Sequence, residues 1–446
     1  MRLLQHHNPL IMQIVSRMKE IYRGYLNVNQ RDAAAAENIR CFSSVEELLM
    51  ALLLKNRGAL LILMLNLFLV FTGIGLVLPI MPRFMEELGI TGSAVGLLVA
   101  SFALTQLLFS PMAGRLSDTY GRKKMIVIGM LIFALTEWMF GIAESPWLLF
   151  ASRLLGGISA ALIMPSVMAY AADVTSEEDR AAGMGYITAA ITTGFIIGPG
   201  LGGYIAEFGI RVPFYSAAVA GIASACVTVL LLQESRPARH ASVETSPAKQ
   251  RSSLLQQLLR SYREPYFISL VIVLVMSFGL ANFETVFGLF VDHKFGFEPR
   301  DIAFILTFGS IAGAVVQVTA FSWILNRFGT RRVISVSLLV AGAFILATLF
   351  VHQYWMIFAV TFIVFLATDI LRPAISTQMS KMAEDQQGYV AGLNSAFTSL
   401  GNIAGPIAAG ALFDLNINYP YVIASVVLLI CYGLMLGVRK RSLQEA

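Results

Sequence analysis

Gly114-Arg115-Leu116-Ser117-Asp118-Thr119-Tyr120-Gly121-Arg122-Lys123-Lys124 lies between two long apolar stretches, and its reading decides the fold. Two glycines permit a very tight turn. Arg115, Arg122, Lys123 and Lys124 crowd a loop too short to hold a domain. Asp118 stands at the mouth of the next apolar stretch, where a helix dipole favours negative charge. A short, basic, glycine-bracketed turn of this kind reads as a cytoplasmic hairpin of a polytopic membrane protein.

Composition points the same way. Of 446 residues, 57% are hydrophobic and 13% charged, against about 25% charged in a typical soluble domain. The mean hydropathy is +0.72. A soluble fold has too little interior for so much apolar surface, so the lipid bilayer is the expected partner. The net charge of +5 is then a question of where charges lie, and no nucleic-acid partner is expected. Cys41, Cys226 and Cys431 are far apart, and the five histidines form no metal pattern. Neither a disulfide framework nor a metal or other cofactor is expected. The chain holds no GxxxxGK[ST] sequence, so an ion gradient is the expected motive force rather than ATP hydrolysis. No nucleophile–base pair marks an enzyme.

A helix needs about 20 mostly apolar residues to cross a ~30 Å hydrocarbon core. Twelve stretches qualify: 58–80, 93–114, 123–143, 146–170, 182–206, 212–233, 266–290, 300–322, 332–351, 354–378, 389–412 and 419–438. With the N-terminal side inside, the inner segments collect nearly all the basic residues, among them Lys55, Arg57, Arg115, Arg122, Lys123, Lys124, Arg327, Arg331 and Arg332. The outer segments hold Arg83, Arg211, Lys294 and Arg300. This asymmetry predicts both termini in the cytoplasm.

The halves repeat. Asp118 to Lys124 is echoed by Asn326-Arg327-Phe328-Gly329-Thr330-Arg331-Arg332, an offset of 208. Gly194-Phe195-Ile196-Ile197-Gly198-Pro199 is echoed by Gly401-Asn402-Ile403-Ala404-Gly405-Pro406, an offset of 207. Two echoes at nearly one offset predict a duplicated six-span unit, as in secondary transporters with a midplane site between repeats. The expected organisation is an N-terminal extension over 1–57, six-span bundles over 58–233 and 265–438, a linker over 234–264 and a cytoplasmic tail over 439–446. In the linker, Leu254, Leu255, Leu258, Leu259 and Tyr262 share one helical face, as a helix lying on the membrane surface requires. In the extension, Ile11, Ile14, Val15, Met18, Ile21, Tyr22 and Tyr25 form a stripe with Arg17, Lys19 and Arg23 among them. That segment reads either as a basic amphipathic surface helix or as a poorly ordered leader before Met50, and the leader is the preferred reading.

The Gly114–Lys124 loop resembles the loop between spans 2 and 3 of the major facilitator superfamily, with glycine, acid, second glycine and basic cluster in order. Gly194, Gly198, Pro199, Gly202 and Gly203 in span 5 resemble the antiporter motif of its drug/proton exporters. The similarity runs from about Leu61 to Asp414 and is nearest to the Gram-positive multidrug exporters of the NorA and Bmr type. It implies an all-α fold of twelve transmembrane helices in two six-helix pseudo-repeats. It further implies a proton-coupled, monomeric exporter of lipophilic, often cationic drugs in the bacterial plasma membrane. Gly114, Asp118, Gly121 and Arg122 would form a gating loop, in which Asp118 bridges neighbouring helices and helps hold the outward-open state. From the residues alone Asp118 is a plain N-cap for span 3. The span 5 glycines would act as hinge and seal. By spacing alone, Gly194, Gly198 and Gly202 form a close-packing face, Pro199 can bend the helix, and Gly309 and Gly313 offer a counterpart in span 8.

Ionisable residues inside spans are costly in lipid and usually face a cavity or a partner. Arg153 lies in span 4, Glu284 in span 7, and Asp369 with Arg372 in mid-span 10. Asp369 and Arg372 could form an i, i+3 pair. Glu137 sits beside Trp138 in outer span 3 and reads as structural. A carboxylate kept from water holds a proton more readily, as a proton carrier must, and Glu284 and Asp369 are the lead coupling sites. The resemblance supports both, and it matches Arg153 to the span 4 arginine. Phe71, Ile74, Phe102, Gln106, Phe195, Phe283, Phe287, Phe365, Asn394 and Phe397 are candidate pocket residues, giving a greasy cavity suited to lipophilic cations. Thr368 stands where the NorA-type pattern has Phe. Competing readings are an exporter or symporter of one metabolite, such as a sugar, and a non-transporting membrane sensor.

Overall fold

Apolar runs of this length, with prolines at helix starts and glycines at the turns, build helices and little else. The computed structural model describes residues 57–177, 179–235, 266–382 and 387–444, and their regular structure is helical throughout. The main helices are α1 Arg57–Leu88, α2 Gly92–Tyr120, α3 Arg122–Gly141, α4 Pro146–Val174, α5 Arg180–Ile205 and α6 Val212–Leu231. They continue with α7 Phe267–Phe295, α8 Pro299–Thr319, α9 Thr330–Ala347, α10 Tyr354–Met382, α11 Gln387–Leu415 and α12 Tyr419–Gln444. Each falls on one of the twelve expected spans. Among the described residues, eleven helices are long and apolar enough to cross a membrane, and α12 adds a shorter apolar stretch, Tyr419–Met435. The extension, read as a leader or a surface helix, and the surface helix of the linker lie outside the described residues.

Helix ends follow local chemistry. Pro146, Pro213 and Pro299 sit in the first turns of α4, α6 and α8, where a missing N–H costs nothing. Glu298 and Asp301 form a reciprocal capping box on α8. Gly121 and Gly329 adopt φ of +104° and +81°, a region in which a side chain is strained. Both glycines turn the chain between helices in the two echoed loops, so the repeat is structural as well as written. One difference was not expected: span 8 stops at Thr319, and a separate short helix, Phe321–Phe328, follows it.

Helix packing repeats with the sequence. The contacts α2 with α4, α3 with α4 and α3 with α6 have mates in α8 with α10, α9 with α10 and α9 with α12. Between the halves, α2 packs on α11 and α5 on α8. Those contacts gather at one end of the bundle. There Gly96 and Gly410 let α2 and α11 meet backbone to backbone, and a Cβ at Gly203 would stand 2.5 Å from the Pro299 carbonyl oxygen on α8. Asp118 and Gly121 lie at the opposite end.

Candidate functional site

Each half carries ionisable side chains inside the bundle, and the two sets differ. In the second half, Arg372 of α10 donates to Glu284 Oε1 of α7 at 3.0 Å. An i, i+3 pair with Asp369 is not the one formed: Arg372 reaches across to α7, and Asp369 has Arg372 and Glu284 as charged neighbours. Asp369 fits because α8 offers it Gly313, whose missing side chain leaves space that the Asp369 carboxyl fills. One turn earlier, Phe365 packs on Gly309 in the same way, with a Cβ there only 2.9 Å from the ring. The span 8 glycines therefore serve α10. The trio carries two carboxylates and one guanidinium, one negative charge in excess when all are ionised.

In the first half, Glu137 of α3 and Arg153 of α4 are 5% and 8% exposed. The Arg153 guanidinium lies 4.4 Å over the Phe140 ring. Ile74 and Phe102 line the small cavity that Glu137 and Arg153 share. Glu137, read from the sequence as an interfacial structural residue, is instead one of the most enclosed charged groups described.

Aromatic candidates divide by environment. Phe71 is buried with its ring 4.8 Å from that of Phe195, which is half-exposed. Phe283 and Phe287 are fully enclosed, their rings 5.4 Å apart, and Phe283 also meets Phe365 and Tyr421. Phe397 is buried, while Gln106 and Asn394 are partly open.

Helix α5 uses its glycines on two faces. A Cβ at Gly194, Gly198 or Gly202 would stand 2.7, 2.7 or 2.6 Å from the carbonyl oxygens of Phe68, Thr72 and Leu76 on α1. Gly200 and Gly203 instead face Thr307 and Pro299 of α8, in the other half. The density of glycine follows from this: one face binds α5 to its own half and the other lets it meet the opposite half. The echo holds, since Gly401 and Gly405 of α11 lie against Leu274 and Phe278 of α7. Pro199 packs on Gly75, where an added Cβ would meet its ring at 2.9 Å.

The Gly114–Lys124 turn is held within one half. Arg122 is 5% exposed and pairs with Asp173 of α4 at 2.7 Å and with Asp118 at 3.4 Å. Glu234, just beyond α6, accepts from the backbone N–H groups of Arg122 at 2.8 Å and Lys123 at 3.3 Å. Asp118 therefore is not the N-cap of α3: it lies in the last turn of α2, and a carboxylate from a distant segment closes the helix start. Gly114 has no neighbour within 4 Å of where a Cβ would sit. Asp173 and Glu234 complete the turn and belong to no sequence motif. Their one sequence mark is that both are acids at span ends on the basic-loop side.

The family profile of the Major Facilitator Superfamily matches residues 63–298 and again 270–445. The chain belongs to the Major Facilitator Superfamily. It is thus a multi-pass membrane transporter and not an enzyme. It is similar to multidrug resistance protein 2 of Bacillus subtilis (strain 168), 48% identical over 85% of this chain and 95% of that one. Multidrug resistance protein 1 of the same organism is 47% identical over 86% and 97%. Quinolone resistance protein NorA of Staphylococcus aureus (strain COL) is 40% identical over 81% and 92%. Among solved structures, an inward-facing, unoccupied bacterial homologue of the lysosomal transporter Spinster superposes with a TM-score of 0.71 at 16% identity, covering 85% of this chain and 96% of that one. The nucleoside transporter NupG gives 0.69 at 16%, covering 86% and 99%. The superfamily's twelve-helix, two-repeat architecture is the fold described here.

Proposed function

We propose that this superfamily member exports lipophilic, often cationic drugs from the bacterial cytoplasm or inner leaflet in exchange for external protons. The observation that carries the reading is the Glu284–Arg372–Asp369 trio. With one negative charge in excess, it is neutralised equally well by one proton or one monovalent cation. Both therefore compete for the same place, and competition of this kind is what obligatory exchange needs. The printed names of the B. subtilis and S. aureus relatives, multidrug and quinolone resistance proteins, support drugs as the cargo.

In this reading both termini are cytoplasmic and the Asp118 end faces the cytoplasm. The halves meet at the opposite end, so the site opens inward. Drug enters there, and rocking of the halves exposes the trio outward. A proton from outside discharges the cation, and the neutral trio returns. Gly200 and Gly203 act as the seal between halves. Phe71, Phe195, Phe102, Ile74 and Phe397 contribute the apolar lining, and Gln106 and Asn394 the polar groups within it. The unit of transport is the monomer.

The test uses inside-out membrane vesicles expressing the full chain, a fluorescent lipophilic cation and an acid-inside proton gradient. Uptake is expected, with collapse on adding an uncoupler. Uptake that survives the uncoupler sinks proton exchange. Undiminished uptake in both Glu284→Gln and Asp369→Asn sinks the assignment of the trio.

A further inference from the structure

The antiport reading leaves the buried pair of the first half without a task. Structural ion pairs in a low-dielectric interior must be tight, because only close contact offsets the desolvation of both charges. Glu137 and Arg153 are not paired in that way: no ion pair joins them among the described residues. Glu137 Oε2 and Arg153 Nε are both buried without a hydrogen-bond partner, and both side chains line one cavity. That cavity is about the size of a water molecule. Its other polar members are already committed, since the Thr136 hydroxyl donates to the Phe133 carbonyl and the Ser152 hydroxyl to the Thr136 carbonyl.

The elements around Glu137 add no second charge. Helix α1 presents Gly73, where a Cβ would stand 3.2 Å from Glu137 Oε1. Helix α2 presents Phe102 to the cavity, and α6 presents Gly221 to the neighbouring Phe133. Arg153 of α4 is the charged group that acts on Glu137. A carboxylate with one free oxygen, a water-sized space and a nearby guanidinium has the parts of a proton-loading site: the cation holds the empty site charged, and water delivers the proton.

We propose that Glu137 is a second proton-binding residue, placed in the first half and reached through water in the cavity it shares with Arg153. The proton arrives from a hydronium ion, which is left as water, and departs the same way; no other bond forms or breaks. Loading cancels the attraction on Arg153 and frees its guanidinium beside Ile74 and Phe102. The idea rests on the antiport reading only for the use made of the proton, and the site itself can be tested alone.

The experiment is infrared difference spectroscopy of the full chain reconstituted in lipid and titrated with acid in H2O and D2O. The expected result is a carboxylic-acid C=O band that grows on acidification and shifts in D2O. It should persist in the Glu284→Gln/Asp369→Asn double variant and be lost in Glu137→Gln. If Glu137→Gln fails to fold, Glu137→Asp with carboxyl-13C aspartate should carry the band at an isotope-shifted position. Spectra in which the Glu137 substitutions change nothing overturn the proposal, as does a Glu137 band that never exchanges with D2O. Proton flux driven by a tetraphenylphosphonium gradient across the same liposomes tests antiport separately. Loss of flux in the parent with the Glu137 band present sinks antiport and keeps the site. Full flux without the band does the reverse.

Discussion

Asp414, at the end of α11, accepts from the first two backbone N–H groups of α2: Gly92 at 2.7 Å and Ser93 at 2.9 Å, with the Ser93 hydroxyl as a third donor. A carboxylate from one half thus caps a helix of the other, where the dipole favours it. An offset of 207 carries Asp414 to Glu207 and Ser93 to Arg300, which form an ion pair at 3.2 Å. The internal repeat has therefore produced two latches at the end where the halves meet. One is a helix cap and the other a surface ion pair.

The two latches should differ in strength. A cap is worth about 1 kcal/mol, whereas an exposed pair contributes roughly 0–1 kcal/mol and is screened by salt. Asp414→Ala is expected to raise the ratio of open to closed forms at this end about fivefold, following that cap energy. Glu207→Ala should do less, and its effect should vanish in high salt. Spin labels at the exposed Phe208 and Leu415, one in each half, would read the change as a growing long-distance population.

Glycine substitutions along α5 should sort by what they meet. A Cβ at Gly198 strikes the Thr72 carbonyl and the Gly75 backbone, neither of which can rotate away. Gly198→Ala should cost about 1–3 kcal/mol of stability by overpacking. Gly114→Ala meets nothing within 4 Å and should be neutral or slightly stabilising, since alanine favours a helix by up to about 1 kcal/mol. Thermal unfolding in detergent would rank them, and equal melting temperatures would discount the close-approach account of α5.

How far these features can be read from residues alone follows one physical distinction. Span length, charge asymmetry and the repeated glycine motifs are local or repeated, and the twelve helices stand where the apolar stretches put them. The span 5 glycines even announce close packing, although not that Gly200 and Gly203 serve the opposite half. Partners joined across the fold leave no such mark. Arg372 is three residues from Asp369 and 88 from Glu284, and nothing local says that it reaches for the distant acid. Glu234 capping α3 and Asp414 capping α2 are invisible for the same reason. Glu137 beside Trp138 looks interfacial in sequence, and only the packing of α1 and α4 around it encloses it.

The trio makes a prediction about charge rather than shape. Glu284→Gln leaves Asp369 and Arg372 balanced, so the excess negative charge is gone. Binding of tetraphenylphosphonium should weaken by about tenfold, equivalent to about 1.4 kcal/mol, while an uncharged lipophilic dye of similar size should bind as before. Fluorescence titration of purified protein checks both ligands. Parallel loss of the two would mean that Glu284 shapes the pocket instead of setting its charge.

At the Asp118 end, the two acids on Arg122 should not be equal. Asp173 is closer, at 2.7 Å against 3.4 Å, and its side chain is 23% exposed against 62% for Asp118. Arg122 is buried, so removing its principal counter-ion strands a charge in a poorly solvated place. Asp173→Asn should therefore destabilise the protein clearly, by about 1–3 kcal/mol, the cost of leaving a buried polar group poorly satisfied. Asp118→Asn should leave the melting temperature nearly unchanged. Arg122→Lys should resemble Asp173→Asn, because an ammonium lacks the planar fork that serves two carboxylates at once. If Asp118→Asn abolishes transport while melting like the parent protein, its task belongs to the conformation in which the Asp118 ends of the two halves come together.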